Sequence, residues 1–278
     1  MRNLYHYTSL ETLALIVYNK TICFNNLLNV DDIEEAETED MDKFGRFLYT
    51  SCWTDDDEES IPLWNLYTQN MHGVRIRLPK FPFKKYYYKK GEFFLSQDIE
   101  TYINIERFYN ENKLSIVADG PQLVKIEYTN DQNKLFPRVR NESIDGVLQE
   151  YLKAQSLESL GNKNFEVSYS FKDLGKFKRE NWKFQKEWRY IISAAPMGLQ
   201  ECNPPSLEKQ QELIRRLENK TLEPPCRQIF LEIAETALEN MEVVFGPKMS
   251  EAEKIMAKGI MNQYCPKSKC RESSLRIK

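Results

Sequence analysis

Histidine is scarce in this chain of 278 residues, which contains only His6 and His72. The six cysteines show no paired C-x-x-C spacing, so the four ligands of a zinc site are hard to assemble. Without a secretion signal, the sequence predicts reduced structural thiols and not a disulfide framework. No apolar run approaches the roughly 20 residues that cross a bilayer, and the N-terminus lacks the apolar block of a signal peptide. These absences predict a cytoplasmic protein with no membrane contact.

Several nucleotide-binding and hydrolase motifs are also missing. The chain has no P-loop, no G-x-G-x-x-G and no G-x-S-x-G, which argues against nucleotide kinases, Rossmann dehydrogenases and α/β-hydrolases. Thirty-nine basic and 42 acidic residues give a net charge of −3, so the overall charge does not indicate a nucleic-acid binder. One basic, aromatic stretch, "KFPFKKYYYKKG" (80–91), leaves two interpretations open. It forms either a solvated hairpin or loop, or a surface that stacks on nucleic-acid bases.

Hydrophobic periodicity predicts one α+β domain over 1–278, with insertions at 80–120 and 196–226. Thr8 and Glu11 stand at the spacing of a capping box, and Leu13 and Val17 belong to the apolar face of the helix that follows. Alternating or apolar runs indicate strands at 3–7, 21–24, 47–53, 74–78, 123–128, 181–192, 229–234, 241–246 and 273–278. Further helices are predicted after Pro62 and at 143–160, 205–220 and 250–264.

The position of His6 has two interpretations. It stands in "LYHYTS" (4–9), at the end of the first predicted strand and beside the N-terminus of the first helix. A buried packing role is one interpretation. The other is a role in gripping a ligand, since a helix N-terminus offers free backbone N–H groups to an anionic group.

The late segment "WKFQKEWRYI" (182–191) is the most informative predicted strand. Side chains alternate along a strand, so one face receives aromatic residues and the other presents Gln185 and Glu187 side by side. Either this second face is solvated, with a weak Glu–Arg pair, or it holds a carboxylate rigidly for electrostatic catalysis. The aromatic face would contain Trp182, Phe184, Trp188 and Tyr190.

The acidic segment "NVDDIEEAETED" (29–40) raises a metal-site hypothesis, because several carboxylates could hold magnesium or calcium. It lacks the glycine and the ligand spacing of an EF-hand loop. A solvated acidic loop is the preferred interpretation.

Taken together, these motifs resemble a bacterial domain-of-unknown-function family with an N-terminal LYHYTS motif and a late W-x-x-E-x-E-W-R-like strand. The order of the motifs matches over nearly the whole chain, with Gln185 where the family has the first glutamate and Val30 and Asp32 where it has Asn and Pro. The matching segments are "LYHYTS" (4–9), "VDDIE" (30–34), "SCW" (51–53), "WNLY" (64–67), "WKFQKEWR" (182–189) and "VVFGPKMSEAEK" (243–254).

The layout more distantly resembles ADP-ribosyltransferases of the His-Tyr-Glu type, which implies a split, mostly antiparallel sheet with peripheral helices. In that fold a first-strand histidine holds NAD, a serine strand and an aromatic line the nicotinamide pocket, and a late glutamate is catalytic. The resemblance assigns catalysis to Glu187, with Gln185 helping to select the acceptor, and leaves Tyr49 as a rival of Tyr67 for the aromatic position. The cofactor-binding residues that it implies are His6, Tyr7, Thr8, Ser51, Trp64 and Tyr67.

The expected function is therefore an NAD-consuming ADP-ribosyltransferase, with NAD as substrate and no metal requirement. The acceptor (protein, nucleic acid or nucleotide) stays open, and the resemblance suggests a toxin or phage-defence effector with an antitoxin or immunity partner. An NAD glycohydrolase is the near variant. The alternatives are a non-catalytic nucleotide-binding module and a metal-dependent nuclease that uses Asp31, Asp32, Glu34 and Glu187.

Overall fold

The computed structural model describes residues 3–117, 120–143, 166–196 and 207–277. They form a single mixed α/β fold around a large sheet. The strands are β1 (Asn3–Thr8), β2 (Thr21–Asn26), β3 (Leu48–Thr54), β4 (Val74–Pro79), β5 (Tyr86–Tyr88), β6 (Ile99–Thr101), β7 (Ser115–Ile116), β8 (Gln122–Lys125), β9 (Glu127–Tyr128), β10 (Arg140–Ser143), β11 (Glu166–Tyr169), β12 (Phe177–Lys178), β13 (Glu187–Ala195), β14 (Gln228–Glu232), β15 (Glu242–Phe245) and β16 (Lys269–Glu272). The α-helices are α1 (Leu10–Asn19), α2 (Ile61–Tyr67), α3 (Ile105–Asn110), α4 (Gln132–Leu135), α5 (Leu207–Glu218), α6 (Glu235–Glu239) and α7 (Glu251–Tyr264).

Strand β3 organises the large sheet. One of its edges pairs with β13 along its whole length, from Leu48 to Thr54. Its other edge pairs first with β2, at Tyr49 and Thr50, and then with β1, at Thr54. In the described part of the chain, no strand pairs with residues 51–53 of β3 on this second edge. The sheet is therefore split between β1 and β2, and a gap opens beside the middle of β3.

The two halves of the sheet continue outwards from this split. Strand β14 pairs with β2, while β4, β15 and β16 follow β1, and the described pairings of this large sheet are antiparallel except for β15 with β16. The expected mostly antiparallel sheet with several helices is thus confirmed.

The main core lies against one face of the sheet. Among the helices that contribute to it, α1 supplies Leu13 and Val17 and α7 supplies Ala257 and Met261, all of them buried. The apolar spacing in α1 is therefore confirmed as a core face. The cap of α1 differs from the predicted capping box, because Ser9, not Thr8, accepts the hydrogen bond from a first-turn amide.

The largest departure from the predicted elements is at 180–186. The alternating pattern there predicts a strand, but Glu180–Gln185 forms a 3-10 helix, and Lys186 adopts a left-handed conformation before β13 begins at Glu187. Phe184 is exposed, so the aromatic residues of this segment are not the buried face of a strand. The alternation at 182–186 comes from a surface turn and mimics a strand.

Two further predictions concern the second half of the chain. The last described strand is Lys269–Glu272, and the predicted strand at 273–278 is wrong, because residues 273–277 form no strand and Leu275 packs against the small core that contains Trp64. The predicted helix at 143–160 lies outside the described residues, apart from Ser143, which ends β10.

Candidate functional site

A cavity of about 350 Å³ opens at the split in the sheet. The unpaired edge of β3, the end of β1, the first turns of α1 and the start of β2 line it, together with α2 and the chain just before β13. It contains seven of the eight residues that the resemblance nominates, namely His6, Tyr7, Thr8, Ser51, Tyr67, Gln185 and Glu187. Residues separated by up to 181 positions in the sequence thus meet at one place.

His6 fills part of the gap beside β3. Its Nδ1 lies 2.8 Å from the carbonyl oxygen of Cys52, and its ring is 5.0 Å from that of Trp53. A carbonyl can only accept, so Nδ1 carries the proton and donates it. Burial lowers the pKa of His6, against the opposing effect of the Cys52 hydrogen bond. The neutral ring then leaves Nε2 as an acceptor, with no other hydrogen-bond partner in the described part of the chain.

The Glu187 carboxylate is buried between two cations. Oε2 accepts a hydrogen bond from Lys178 Nζ at 2.6 Å, and Oε1 accepts one from Arg189 Nε at 2.8 Å. Arg189 Nη2 also lies 2.7 Å from Oε1. Burial by itself raises the pKa of this carboxyl, but Arg189 and Lys178 outweigh burial and lower the pKa to about 2. Glu187 is therefore ionised, and the Cys52 thiol is a further hydrogen-bond donor to its carboxylate.

Gln185 joins Lys178 to Tyr67 across one wall of the cavity. Its Oε1 accepts a hydrogen bond from Lys178 Nζ at 3.0 Å, and its Nε2 donates to the Tyr67 hydroxyl at 2.6 Å. Burial, with a smaller effect from the Asp31 carboxylate, raises the pKa of Tyr67. The two ends of the Gln185 amide thus have different partners, which fixes the orientation of the side chain.

Glu35 completes the buried charge cluster beneath the cavity. It pairs with Arg189 Nη1 and lies 3.2 Å from Lys178 Nζ. Two carboxylates therefore balance two cations, and Arg189 Nη1 also donates to the carbonyl oxygen of Gly175 at 3.2 Å. The expectation of a solvated face around Glu187 is wrong, since Arg189 is fully buried and Glu187 is only 4% exposed.

The other nominated residues occupy different surroundings. Ser51 Oγ accepts a hydrogen bond from Trp53 Nε1 at 3.0 Å, and the Tyr7 hydroxyl accepts one from the Ser60 amide at 3.0 Å. Trp64 is a correction to the predicted site. It is fully buried in a separate small core beneath Tyr7, with ring centroids 4.9 Å apart, and it does not line the cavity.

The rival aromatic position is also clear in the structure. Tyr49 is fully buried, and its hydroxyl donates to the carbonyl oxygen of Cys226 at 2.8 Å. Tyr67 lines the cavity and Tyr49 does not. Of the two, only Tyr67 is placed to contact a ligand there.

The acids of the segment at 29–40 have separate roles. Asp32 caps the 3-10 turn at Ile33–Ala36, Glu34 pairs with Arg179, and Glu35 belongs to the buried cluster. Within the described ranges, no group of three or more histidine, cysteine or acidic residues could hold a metal ion. The expectation of a solvated loop is likewise incomplete, since Glu35 is buried.

The basic stretch at 80–91 is largely neutralised by neighbouring acids. Lys84 pairs with Glu232 at 2.7 Å, Lys85 with Glu100 at 2.5 Å, and Lys89 with Asp98 at 2.9 Å. Strand β5, which lies within this stretch, pairs antiparallel with β6, which agrees with the interpretation as a solvated hairpin.

Two charged residues of the site escaped the sequence reasoning: Lys178 and Glu35. Strand alternation already placed Arg189 on the face of Glu187, because it stands two positions further along the chain. Lys178 lies in the charged run "GKFKRE" (175–180), where nothing separates it from surface lysines. Glu35 is equally indistinct among the other acids of its loop.

Comparisons with known protein families, with curated proteins and with solved structures find no match for this chain. Among the described residues, no helix is both long enough and apolar enough to pass through a bilayer. Any functional conclusion therefore depends on the geometry of the cavity and on the motifs quoted above.

Proposed function

We propose that the cavity is the NAD site of an ADP-ribosyltransferase, which cleaves the bond between nicotinamide and ribose and transfers ADP-ribose to an acceptor. The observation that carries this proposal is the meeting of His6 and Glu187 in one cavity at the split of the sheet. A volume of about 350 Å³ is at the lower end of ligand pockets, which span about 300–1,000 Å³. The nicotinamide and its ribose would lie inside, with the remaining part of NAD towards the opening.

The chemistry needs a fixed negative charge near the ribose. As the bond to nicotinamide breaks, its electron pair leaves with nicotinamide and positive charge develops on the sugar. Glu187 is ionised and held in place, so it can stabilise that charge without reorganising. A ribose hydroxyl can donate a hydrogen bond to this carboxylate in place of the Cys52 thiol. The acceptor nucleophile then attacks the sugar carbon that nicotinamide has left.

His6 and Tyr67 would orient the substrate on either side of that bond. His6 Nε2 can accept a hydrogen bond from a second hydroxyl, and the Tyr67 ring can pack on the nicotinamide. A cationic ring over an aromatic face gains about 0.5–2 kcal/mol. The glycohydrolase variant uses the same groups, with water as the nucleophile.

One observation favours a second candidate, the non-catalytic nucleotide-binding module. Both oxygens of Glu187 already have cationic partners, and the cluster with Glu35, Lys178 and Arg189 is neutral as a whole. Such a cluster could serve packing alone. The nuclease alternative gains no support, because Asp32, Glu34 and Glu187 have separate partners.

The test is release of nicotinamide from NAD by the purified protein, with EDTA present and with or without cell lysate as a source of acceptor. Glu187→Gln should reduce the rate about 100- to 1,000-fold, the typical effect of removing one electrostatic group from a transition state. A requirement for lysate would distinguish a transferase from a hydrolase.

Two controls separate chemistry from folding. Glu35→Gln perturbs the same buried cluster without touching the cavity, and it should cost much less activity than Glu187→Gln. Glu180→Gln changes an exposed carboxylate on the neighbouring turn and should leave the rate unchanged. Intact NAD in every condition, with measurable NAD binding, would contradict the proposal and support the binding module.

A further inference from the structure

One wall of the cavity depends on Lys178, to which the proposed reaction assigns no role. Lys178 is 4% exposed, and its ammonium group faces three acceptors: Gln185 Oε1 at 3.0 Å, Glu187 Oε2 at 2.6 Å and Glu35 Oε1 at 3.2 Å. Two of its three N–H donors make hydrogen bonds to Gln185 and Glu187, whereas Glu35 Oε1 is an ion-pair contact without a hydrogen bond. The indole ring of Trp182 lies 5.3 Å from Nζ and covers this side of the amine.

The backbone does not bring Gln185 and Glu187 together by strand geometry. Gln185 ends a 3-10 helix, and Lys186 is left-handed with φ 44°, so the two side chains do not share the face of a regular strand. Their common contact is Lys178, which comes from β12 on a separate segment that pairs with β9. The Lys178 ammonium group thus holds the two side chains next to each other, as the predicted strand would have done.

We propose that Lys178 is a positioning residue of this site, whose ammonium group holds the Glu187 carboxylate and the Gln185 amide as one unit on the cavity wall. Through Gln185, Lys178 also positions the Tyr67 hydroxyl. For its activity readout this inference rests on the proposed function. The titration readout described below does not.

The electrostatic surroundings of Glu187 define what removal of Lys178 should change. Arg189 remains beside the carboxylate in a Lys178 variant, so part of the stabilisation of the ionised form persists. Loss of one of two neighbouring cations in a buried site nevertheless favours protonation of a carboxylate. The titratable and charged groups that face this carboxylate or its cluster are Lys178, Arg189, Glu35, Cys52, Tyr128, Tyr67 and Asp31.

The experiment compares wild type with Lys178→Met and Lys178→Arg, and with Lys183→Met as the matched control. Lys183 is an exposed lysine five positions further along the chain, paired only with Glu180. The initial rate of nicotinamide release should fall about 10- to 100-fold in Lys178→Met, as when an outer partner of a ligand-binding side chain is removed. Lys178→Arg keeps the charge and should recover part of the rate, while Lys183→Met should equal wild type.

The pH profile separates positioning from general structural support. The wild-type rate should show no acid limb from Glu187 above about pH 3, given a pKa of about 2. In Lys178→Met an acid limb should appear at higher pH. A lowered rate with an unchanged pH profile would overturn the inference in favour of simple loss of packing.

A second measurement works even if the protein does not cleave NAD. Carbon-13 NMR of labelled glutamate carboxyls, with the Glu187 signal assigned by its absence in Glu187→Gln, should show Glu187 titrating at higher pH in Lys178→Met than in wild type. Identical titrations would overturn the role of Lys178 independently of any enzymatic activity. If Lys178→Met does not fold, Lys178→Gln, which removes the charge but keeps a hydrogen-bonding side chain, takes its place.

Discussion

His6 is the residue whose position most directly limits what the cavity can bind. Its Nδ1–H is committed to the Cys52 carbonyl, so the ring can offer a ligand only the acceptor Nε2. A cavity with an imidazole in this tautomer selects for a hydroxyl or another donor at that point. This tautomer follows from the open edge of β3, which leaves the Cys52 carbonyl without a strand partner.

We therefore predict that His6→Ala weakens NAD binding about threefold to tenfold, the typical net value of one neutral hydrogen bond. Titration calorimetry in a Glu187→Gln background, where turnover is suppressed, would measure it. His72→Ala is the matched control, because the other histidine pairs with Glu253 at the surface and should not affect binding. Equal effects of the two substitutions would contradict the assignment.

The dissociation constant for NAD should also depend on pH, and the state of His6 determines the direction of the change. Burial lowers the pKa of His6 below its ordinary value of 6.5, so the ring is neutral at pH 7 and Nε2 accepts. Protonation in more acidic solution converts Nε2 into a donor and removes the acceptor. The dissociation constant should thus be constant near neutral pH and should rise as the pH falls through the lowered pKa. In His6→Ala this rise should disappear.

At the scale of elements, replacing a glycine by alanine should have opposite effects inside a helix and in the turn before β4. Gly259 lies inside α7, and a Cβ added there would meet no atom within 4 Å. A glycine in a helix interior costs about 0.5–1 kcal/mol relative to alanine, because it has more conformational freedom to lose.

Gly259→Ala should therefore raise the free energy of unfolding by about 0.5–1 kcal/mol, measured by urea denaturation. Gly73→Ala is the contrasting variant. There a Cβ would lie 2.2 Å from the carbonyl oxygen of Thr8, at the junction of β1 and β4, so it should destabilise the protein. Stabilisation by both substitutions would contradict this packing.

The elements also show which signals in the sequence are reliable. The 3.6-residue period of α1 and the two-residue period of β4 predict those elements because each buries one face against the core. The same two-residue period fails at 182–186, because surface aromatic residues in a 3-10 turn happen to alternate with charged ones. A two-residue period therefore indicates a strand only where its apolar residues pack against the core.

The candidate site was predictable in its apolar and motif-bearing parts but not in its charge cluster. His6, Tyr67 and Glu187 stand in recognisable motifs, and all three line the cavity. Lys178 and Glu35 carry no pattern of their own, since their burial results from contacts between segments more than 140 residues apart. Long-range pairing of charges leaves no periodic trace in one sequence.

At the scale of the whole molecule, the buried cluster connects parts of the chain that are distant in sequence. Glu35 comes from the turn between β2 and β3, Lys178 from β12, and Glu187 and Arg189 from β13. Removing one member leaves an uncompensated buried charge, which is strongly destabilising in proteins. The catalytic proposal and the stability of the fold therefore depend on the same side chains.

The charge on Glu187 predicts that the free energy of unfolding decreases in acid. The folded-state pKa of Glu187 is about 2, below its ordinary value of 4.5, so on acidification the unfolded chain binds this proton first. The contribution of Glu187 to stability is complete above about pH 5 and decreases as the pH falls towards 2. By pH 3 the loss from this group should be about 2 kcal/mol.

Urea denaturation at pH 7 and pH 3 would measure this loss. Between the two pH values, wild type should lose about 2 kcal/mol more than Glu187→Gln, which cannot take up the proton. Glu180→Gln, with an exposed carboxylate on the adjacent turn, should follow wild type. If Glu187→Gln lost as much stability as wild type, the Glu187 carboxyl would not be the ionised centre of the cluster, and its proposed electrostatic role at the ribose would lose its basis.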